Sequence, residues 1–446
     1  RYIPGGRRAF RFFGHPFTTA MAMSQLTDDI DITGSGGSPF TTTTSNNPSA
    51  FYYDVTTGDN STTGNNPGWT AFTASSNWNQ YQAMRVLVRG AKGEGLGLGS
   101  YTPSNNTLDM SGTVNQGDQN ISLTKGSGTD FVLVGNPFPS QVNMDALTLT
   151  NVGSSFYIWD ANQGTRGAYT SYTFGSSSFN LPVGGAFATT LSASGSILFE
   201  EADKTNNTAG TMFKTTGIAN QVELKLEDST IFWDRLLLNF DDNAMATVDY
   251  PDAVKLYNPD MTFYTLSKDD SMLSIDTRPY VASEVIKLGL YAGLQKNFKF
   301  TAPSVNMPAG TKLYFTDKLL SKTIEVTPAF EYWFTVDTNN ASWGNDRFEL
   351  NTQGVPTNGI ANINTSKLKV KLVPNPTTDN VTLYYEGAGK ELNIIVTNMM
   401  GVKVATAKAD NTNGNVTIPT AQLANGIYNV TIYNGSEVMT QKLIKQ

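Results

Sequence analysis

The side chains that most often carry catalysis are scarce in this sequence. His15 is the only histidine, it lies between Gly14 and Pro16 in a predicted turn, and the 446 residues include no cysteine. There is no G-x-S-x-G nucleophile motif and no H-E-x-x-H metal motif, and one histidine cannot build a multi-histidine metal site. We therefore expect no catalytic residue and a non-enzymatic protein. Scattered carboxylates leave a two-carboxylate glycosidase open as an alternative.

Three neighbouring acids are the best metal-binding candidates. Asp28, Asp29 and Asp31 lie close enough in sequence to form a calcium loop. They lack the glycine and the terminal glutamate of the twelve-residue helix-loop-helix calcium motif. The sequence therefore favours a hydrated loop over a metal site, and no cofactor is predicted.

Aromatic residues in the middle of the chain are candidates for carbohydrate binding. Tyr157, Trp159, Tyr169 and Tyr172 fall in two strand-like runs, and aromatic faces can stack on flat ligands such as sugars. Core filling and cross-strand packing explain the same residues in most β proteins. A glycan ligand is therefore one of two interpretations of these aromatics.

A basic cluster stands at the start of the chain. Arg1, Arg7, Arg8 and Arg11 surround a strand-like run, and such a cluster could bind anionic glycans or lipid headgroups. A solvated strand face, or pairing with nearby acids, is the favoured interpretation.

Composition points to a β-rich protein with many turns. The chain has 40 Gly, 19 Pro and 15% charged residues, a net charge of −7 and a pI of about 4.9. An acidic chain is a poor partner for nucleic acid, and no apolar run reaches the roughly 18 residues of a membrane helix. Because the chain begins at Arg1 without a signal peptide, we expect a mature product or the tail of a longer protein.

Short runs of alternating apolar and polar residues recur along the whole chain. Val222, Leu224 and Leu226, for example, alternate with charged residues, which places one face of a strand in a core and the other in water. Turn residues separate such runs every ~8–12 positions. The pattern predicts an all-β fold of tandem antiparallel β-sandwiches. The predicted divisions are a jelly-roll-like β-sandwich surface domain at 1–215, an Ig-like β-sandwich at 216–352, a linker at 353–366 and a small C-terminal sandwich at 367–446.

Residues 367–446 contain the clearest sequence of strands and turns. The breakers between the strand-like runs include Pro374-Asn375-Pro376 and the dipeptides Asn425-Gly426 and Asn434-Gly435. The two dipeptides suit turns that need a positive φ. We predict an antiparallel sandwich of about seven strands.

This residue set resembles the type A C-terminal sorting domain carried by cargo of the type IX secretion system of Bacteroidetes-type bacteria. The motifs are Pro374-Asn375-Pro376, Met399-Met400-Gly401, Leu423-Ala424-Asn425-Gly426-Ile427-Tyr428 and Lys442-Leu443-Ile444-Lys445, in the family's order. The family often has Asp at the position of Asn398, a change that keeps the turn chemistry.

The resemblance implies a partner set and a location. The protein would be exported to the cell surface or beyond, would be recognised by the type IX translocon and a PorV-type outer-membrane shuttle barrel, and could be cut by a surface sortase. Exposed strand edges could be bound by strand addition. The residues implied for contact or shape, each equally explained by turn geometry and packing, are Pro374, Asn375, Pro376, Gly401, Leu423, Gly426, Tyr428, Lys442, Leu443 and Lys445.

Two other stretches resemble modules of surface proteins from the same bacteria. Residues 134–204 contain V-G-N-P-F-P-S, Y-I-W-D, P-V-G-G-A-F and L-F-E-E-A-D-K in order. Residues 317–350 resemble Ig-like modules that often precede this sorting domain. In addition, Asp270-Ser271-Met272 fits a three-residue O-glycosylation pattern, which makes Ser271 a predicted acceptor.

Two functions follow as expectations. The leading one is an adhesin-like, non-enzymatic surface protein with a C-terminal secretion signal. The alternative is a carbohydrate-binding or carbohydrate-active protein with the same signal.

Overall fold

The structure is a computed structural model that describes residues 1–61, 66–97, 99–206, 219–293, 295–353, 368–386, 392–398, 402–409, 413–434 and 437–446. The chain divides into two compact units, Arg1–Thr357 (unit 1) and Asn358–Gln446 (unit 2). No helix among the described residues is both long and apolar enough to span a membrane.

The first part of unit 1 is built from short strands and two 3-10 helices, Met23–Leu26 and Glu201–Asp203. Its strands are β1 (Tyr2–Ile3), β2 (Ala9–Phe13), β3 (Met21–Ala22), β4 (Ala50–Tyr53), β5 (Trp69–Ala71), β6 (Asn77–Trp78), β7 (Met84–Val88), β8 (Asn106–Thr107), β9 (Gln119–Leu123), β10 (Phe131–Gly135), β11 (Gln141–Asn143), β12 (Thr148–Asp160), β13 (Ala168–Thr173), β14 (Asn180–Leu181), β15 (Ala186–Phe199) and β16 (Lys204–Thr205).

The second part of unit 1 has longer strands and the 3-10 helix Asn340–Ser342. Its strands are β17 (Gln221–Glu227), β18 (Trp233–Phe240), β19 (Ala253–Val254), β20 (Met261–Leu266), β21 (Met272–Arg278), β22 (Val285–Ala292), β23 (Asn297–Val305), β24 (Lys312–Asp317), β25 (Lys322–Glu325), β26 (Glu331–Thr335) and β27 (Gly344–Gln353).

Two antiparallel sheets of the first part matter most for function. One has the strand order β2-β7-β4-β5, and the other has the order β10-β15-β12-β13 with β9 added on β15. Two smaller sheets of two strands, β1-β8 and β3-β6, and one of three, β14-β11-β16, complete this part. Aromatic and β-branched residues dominate these strands, as expected for side chains that pack on a pleated surface.

The sheet β2-β7-β4-β5 has two distinct apolar faces. One face contributes Phe13, Met84 and Val86 to a core with Trp78 and Ile32. On the other face, residues paired across the strands are Phe12 with Arg85, Phe51 with Arg85, and Tyr53 with Trp69. This second face meets β12 and β13, where Phe12 packs with Trp159 and Tyr157 in a shared cluster. The first part is therefore layered, with aromatic residues between the two sheets.

The second part is one sheet that curls over its own core. Its order is β25-β24-β27-β22-β20-β21-β18-β17-β23-β26, with β19 added on β21. β18 and β21 run parallel, whereas the other paired strands run antiparallel. The curl places Phe300 5.1 Å from Phe315, and Phe334 4.8 Å from Phe348, between ring centroids. The result is a sandwich of two packed layers, and the predicted all-β fold class is confirmed.

Polar contacts join the two parts of unit 1. The Tyr157 hydroxyl donates to the Val254 carbonyl at 3.0 Å, and the Ser171 and Ser274 hydroxyls lie 2.8 Å apart. The predicted boundary at 215/216 and the predicted linker after Gln353, the last residue of β27, lie outside the described residues. The predicted division of this unit into two domains stays a prediction.

Unit 2 is a small sandwich with its own core. Its strands are β28 (Lys369–Val373), β29 (Asn380–Glu386), β30 (Leu392–Asn398), β31 (Lys403–Ala409), β32 (Gly414–Pro419), β33 (Gly426–Asn434) and β34 (Glu437–Lys445). They form the sheets β28-β29-β32 and β31-β30-β33-β34. Leu383, Ile394 and Val430 are fully or almost fully buried between the sheets, in a core whose described residues all belong to unit 2.

Candidate functional site

The Pro374-Asn375-Pro376 turn of unit 2 is fastened to the last strand. The Asn375 amide nitrogen donates to the Lys442 carbonyl at 2.7 Å, and the Ile444 backbone N–H donates to Asn375 Oδ1 at 2.9 Å. Just beyond the turn, the Thr377 N–H donates to the Ile444 carbonyl at 2.9 Å. The first and last predicted motifs of the sorting domain, 374–376 and 442–445, are therefore in direct contact.

The 423–428 motif meets the same strand on its other side. Gly426 pairs with Lys445, and Tyr428 pairs with Leu443, in the β33–β34 ladder. The Tyr428 hydroxyl donates to the Ala424 carbonyl at 2.7 Å, which closes the turn before β33. Three predicted motifs distant in sequence thus converge at one end of the sandwich, which we call the 375–445 cluster.

Burial divides the predicted residues of this cluster into two kinds. Leu443 and Tyr428 are buried in the core, and Lys445 is 9% exposed with its Nζ donating to the Gln446 carbonyl at 2.6 Å. Leu423 is half-buried and packs against the same core. Pro374, Asn375, Pro376, Gly426 and Lys442 are exposed, whereas Gly401 lies outside the described residues. Only the exposed set is placed to touch a partner, and the contact role stays a prediction.

Unit 1 contains a second candidate site, a pocket between its two aromatic sheets. The cavity has a volume of about 410 Å³, within the roughly 300–1,000 Å³ usual for small-molecule sites. Phe10, Tyr53 and Trp69 form one wall, and Trp159 and Tyr169 form the facing wall. The Tyr53 and Trp69 rings lie 5.4 Å apart, and the Trp159 and Tyr169 rings 4.7 Å apart, in edge-to-face pairs.

Arg85 is the basic group of this pocket. Its guanidinium carbon lies 3.9 Å from the centre of the Trp69 ring and 4.9 Å from that of Phe10. Its Nε is buried and has no hydrogen-bond partner. Burial lowers the pKa of Arg85, and the nearby Tyr169 opposes that effect. Burial also raises the pKa of the Tyr169 hydroxyl to about 12, so Tyr169 remains a neutral hydrogen-bonding group.

The rim of the pocket is polar. Arg166 is exposed there, and its carbonyl accepts a hydrogen bond from the Trp159 indole N–H at 3.2 Å. Asp260 lies on the same rim, where its carboxylate accepts from the Thr165 backbone N–H at 2.5 Å and the Thr165 hydroxyl at 2.9 Å. Among the described lining residues, Asp260 is the sole carboxylate.

The four aromatics singled out in the sequence have different environments. Trp159 and Tyr169 line the pocket. Tyr157 shares their face of the sheet but is 2% exposed and packed in the core. Tyr172 points to the opposite face, where its ring stacks on Phe156 at 5.4 Å. Sequence reasoning missed Arg85, because a strand-like run with one arginine does not reveal which face that arginine occupies.

The acids considered for calcium are separated in the structure. Asp31 accepts hydrogen bonds from the Thr41 hydroxyl at 2.6 Å and from the Gly93 N–H at 2.5 Å. Asp28 and Asp29 instead lie near Asp109, with carboxylate oxygens within 4.8 Å of one another. The fold therefore does not bring Asp31 together with Asp28 and Asp29, and the predicted grouping of these three acids is not observed.

His15 and the N-terminal arginines make structural contacts. His15 is 1% exposed, with Nε2 2.9 Å from the Asn79 carbonyl, and burial lowers the pKa of its imidazole. Arg1 donates to the Phe12 carbonyl at 3.2 Å, Arg7 to the Asn162 and Gly164 carbonyls, and Arg11 to the Pro4 carbonyl at 3.2 Å. The environment of His15 agrees with a structural role. The three arginines bind backbone carbonyls instead of acids, and Arg11 is 8% exposed, so the predicted solvated face or acid pairing does not describe them.

Ser271, the predicted glycan acceptor, lies in the hairpin turn between β20 and β21. It is half-buried, and its N–H donates to the Ser267 hydroxyl at 3.0 Å. Its modification stays a prediction.

Comparison with known proteins gives one informative match. Residues 371–446 match the family model of the secretion system C-terminal sorting domain. No curated protein matches the chain. Among solved structures, a chain described as "Biofilm associated protein - BSP domain" is 9% identical, with 74% of this chain and 81% of that chain covered and a TM-score of 0.14. A score that low carries no argument about fold or function.

The family match confirms the resemblance drawn from the motifs of residues 367–446. Unit 2 is a C-terminal sorting domain of type IX secretion. The protein is therefore a secreted cargo that interacts with the type IX machinery and is exported to the cell surface or the extracellular space.

Proposed function

We propose that the exposed part of the 375–445 cluster is the surface that the type IX translocon and its outer-membrane shuttle barrel recognise on this cargo. The observation that carries the proposal is the convergence of three of the four family motifs at one end of unit 2, where Asn375 joins the first motif to the last. Buried members of the motifs hold the shape, and exposed members, above all Lys442, are free to contact a partner.

Export of a reporter tests this proposal. Because the core of unit 2 contains only its own residues, residues 367–446 are expected to fold when fused to a periplasmic reporter. In a host with a type IX system, the fusion should reach the cell surface. Lys442→Glu should reduce export, whereas Lys369→Glu, at an exposed lysine at the end of β28 away from the Pro374-Asn375-Pro376 turn, should not. A reporter that stays in the periplasm, or equal export by both variants, contradicts the proposal.

For unit 1 we propose an adhesin-like, non-enzymatic role. Retaining and inverting glycosidases need two carboxyl groups across the scissile bond, and Asp260 is the only carboxylate among the described residues of the pocket. The protein should therefore release no reducing sugar from polysaccharides. Hydrolysis that is lost in Asp260→Asn would contradict the non-enzymatic assignment.

The pocket favours carbohydrate binding as the activity of this unit. Tryptophan and tyrosine rings on facing walls suit the flat faces of a sugar, and the size of the cavity suits a small ligand. On a glycan array, the full chain should bind at least one oligosaccharide class, and Trp69→Leu should abolish that binding. Trp333→Leu, a change at a 52% exposed tryptophan outside the pocket, is the matched control. Equal binding by both variants would remove the pocket from consideration.

A further inference from the structure

We propose that the pocket of unit 1 recognises a sugar that bears a carboxylate, with Arg85 as the anion-binding group. This inference rests on the proposed carbohydrate binding and specifies the ligand's charge. The starting observation is a cation that lies against aromatic rings and has no counter-ion.

Arg85 has no counter-ion within the described structure. No ion pair to it is found among the described residues, and its Nε has no hydrogen-bond partner. A buried cation without a counter-ion is costly. The Tyr169 side chain, which hydrogen-bonds to Arg85, and cation–π contacts with Phe10, Phe51 and Trp69 offset only part of that cost.

The position of Arg85 follows from strand register. It is paired with Phe12 on one side and with Phe51 on the other, in the middle of the sheet. Neighbouring residues of β7, Met84 and Val86, point to the opposite core. The guanidinium therefore cannot turn to solvent behind the sheet, and the cavity is the space open to it.

An acidic sugar matches both features of the pocket. A planar guanidinium binds a carboxylate through two parallel N–H···O bonds, and the Trp69 and Trp159 walls suit the ring that carries the carboxylate. Arg166 at the rim adds a second positive charge. Asp260, the one carboxylate among the described lining residues, is hydrogen-bonded to Thr165, and the two arginines of the lining outnumber it.

Titration of the full chain with oligogalacturonate, its methyl ester, sialyllactose and a neutral glucan tests this inference, with tryptophan emission as the signal. At least one carboxylated ligand should bind about 10- to 100-fold more tightly than the neutral ones, the range expected for a charged hydrogen bond, and added salt should weaken it. Binding of oligogalacturonate alone identifies a uronate, and binding of sialyllactose alone identifies a sialic acid.

Variants then test whether Arg85 supplies the positive charge that binds the ligand. Arg85→Met should reduce binding of the acidic sugar by the same factor of about 10 to 100, with the near-ultraviolet circular dichroism unchanged. Arg166→Gln, at an exposed position, should cause a smaller loss. Lys287→Met removes one positive charge at a 50% exposed residue outside the pocket and should have no effect.

The outcomes separate this inference from the function on which it rests. If neither oligogalacturonate nor sialyllactose binds more tightly than the methyl ester and the neutral glucan, the role of Arg85 is overturned and carbohydrate binding stays intact. Absence of binding to every saccharide would overturn both. Acidic-sugar binding that survives both Arg85→Met and Arg166→Gln would place the ligand elsewhere.

Discussion

At the scale of single residues, unit 1 is notable for charged groups held inside it. Asp317 is fully buried and accepts hydrogen bonds from the Arg347 guanidinium, at 2.9 Å from Nη2, and from the Tyr332 hydroxyl at 2.9 Å. Arg347 also donates from Nη1 to the Ser342 carbonyl at 2.7 Å. These bonds tie β24 and β27, near one edge of the curled sheet, to β26, the strand at the opposite edge.

Breaking this pair should destabilise unit 1 strongly. Arg347→Met would leave the Asp317 carboxylate buried without its cation, which costs about 3–5 kcal/mol. Chemical denaturation followed by tryptophan emission measures the change. The double variant Asp317→Leu/Arg347→Met should recover much of the loss, because no charge is then stranded. Lys312→Ala, at an exposed pair with Glu325, should change the free energy of unfolding by less than about 1 kcal/mol.

Asp252 should give stability an unusual pH dependence. Burial, reinforced by Asp276 and Asp249, raises the pKa of its carboxyl from 3.8 to about 7, although the Thr277 and Asp249 N–H groups lower it. A carboxyl whose pKa is higher in the folded state binds protons more tightly there, so its contribution to stability falls as pH rises from 3.8 to about 7. The free energy of unfolding of Asp252→Asn, compared with wild type between about pH 4 and pH 8, should lack this decline. Parallel curves for the two proteins would contradict the assignment.

The residue scale also shows what sequence alone can and cannot reveal. Alternation predicted strands around Tyr157 and Trp159, and those strands exist. Their partners across the sheet depend on register, which places Tyr169 beside Trp159 and sends Tyr172 to the other face. Arg85 stands in a run that alternation describes correctly, yet its contact with Trp69 comes from a strand sixteen positions earlier. Pairing between distant segments was the missing information.

At the scale of elements, β34 is the strand on which the sorting domain depends. It pairs with β33 along its length and accepts the Pro374-Asn375-Pro376 turn near its end. The motif spacing of 367–446 was sufficient to predict about seven strands because each turn has its own sequence signal. The Asn375 contact with β34 could not be predicted, since it joins residues 67 positions apart.

Truncating the buried face of β34 should affect unit 2 alone. Leu443→Ala removes a side chain that is 0% exposed and should cost about 2–5 kcal/mol. Lys442→Ala, at the exposed neighbour, should cost little. All six tryptophans, Trp69, Trp78, Trp159, Trp233, Trp333 and Trp343, belong to unit 1. The transition seen by far-ultraviolet circular dichroism should therefore shift without a change in the tryptophan transition, and a shift in both would contradict the prediction.

At the scale of the whole molecule, the chain consists of unit 1, which is the exported cargo, and unit 2, which is the sorting domain, each with its own core. Among the described residues, the apolar clusters of unit 1 contain none from unit 2, and the core of unit 2 contains none from unit 1. Composition and turn spacing were enough to predict sandwiches and the C-terminal unit. They were not enough to predict which strands of unit 1 pair with one another in each sheet.

Removal of unit 2 should leave unit 1 folded. A chain ending at Gln353 should retain the tryptophan unfolding midpoint of the full protein, because unit 1 keeps every residue of its own apolar clusters. Its binding of acidic sugars should also be unchanged, while export should be lost. A lowered midpoint would show that the two units support each other.

The parallel pairing of β18 with β21 determines which fragments of this chain can contain the complete pocket. Parallel neighbours need a long connection, and the one used here contains Leu256, Tyr257, Pro259 and Asp260, which close one side of the pocket. A cut between residues 206 and 219 would send these four residues to one fragment and Arg85 to the other. Neither half would then contain the complete pocket, and each would expose apolar surface that the other normally covers.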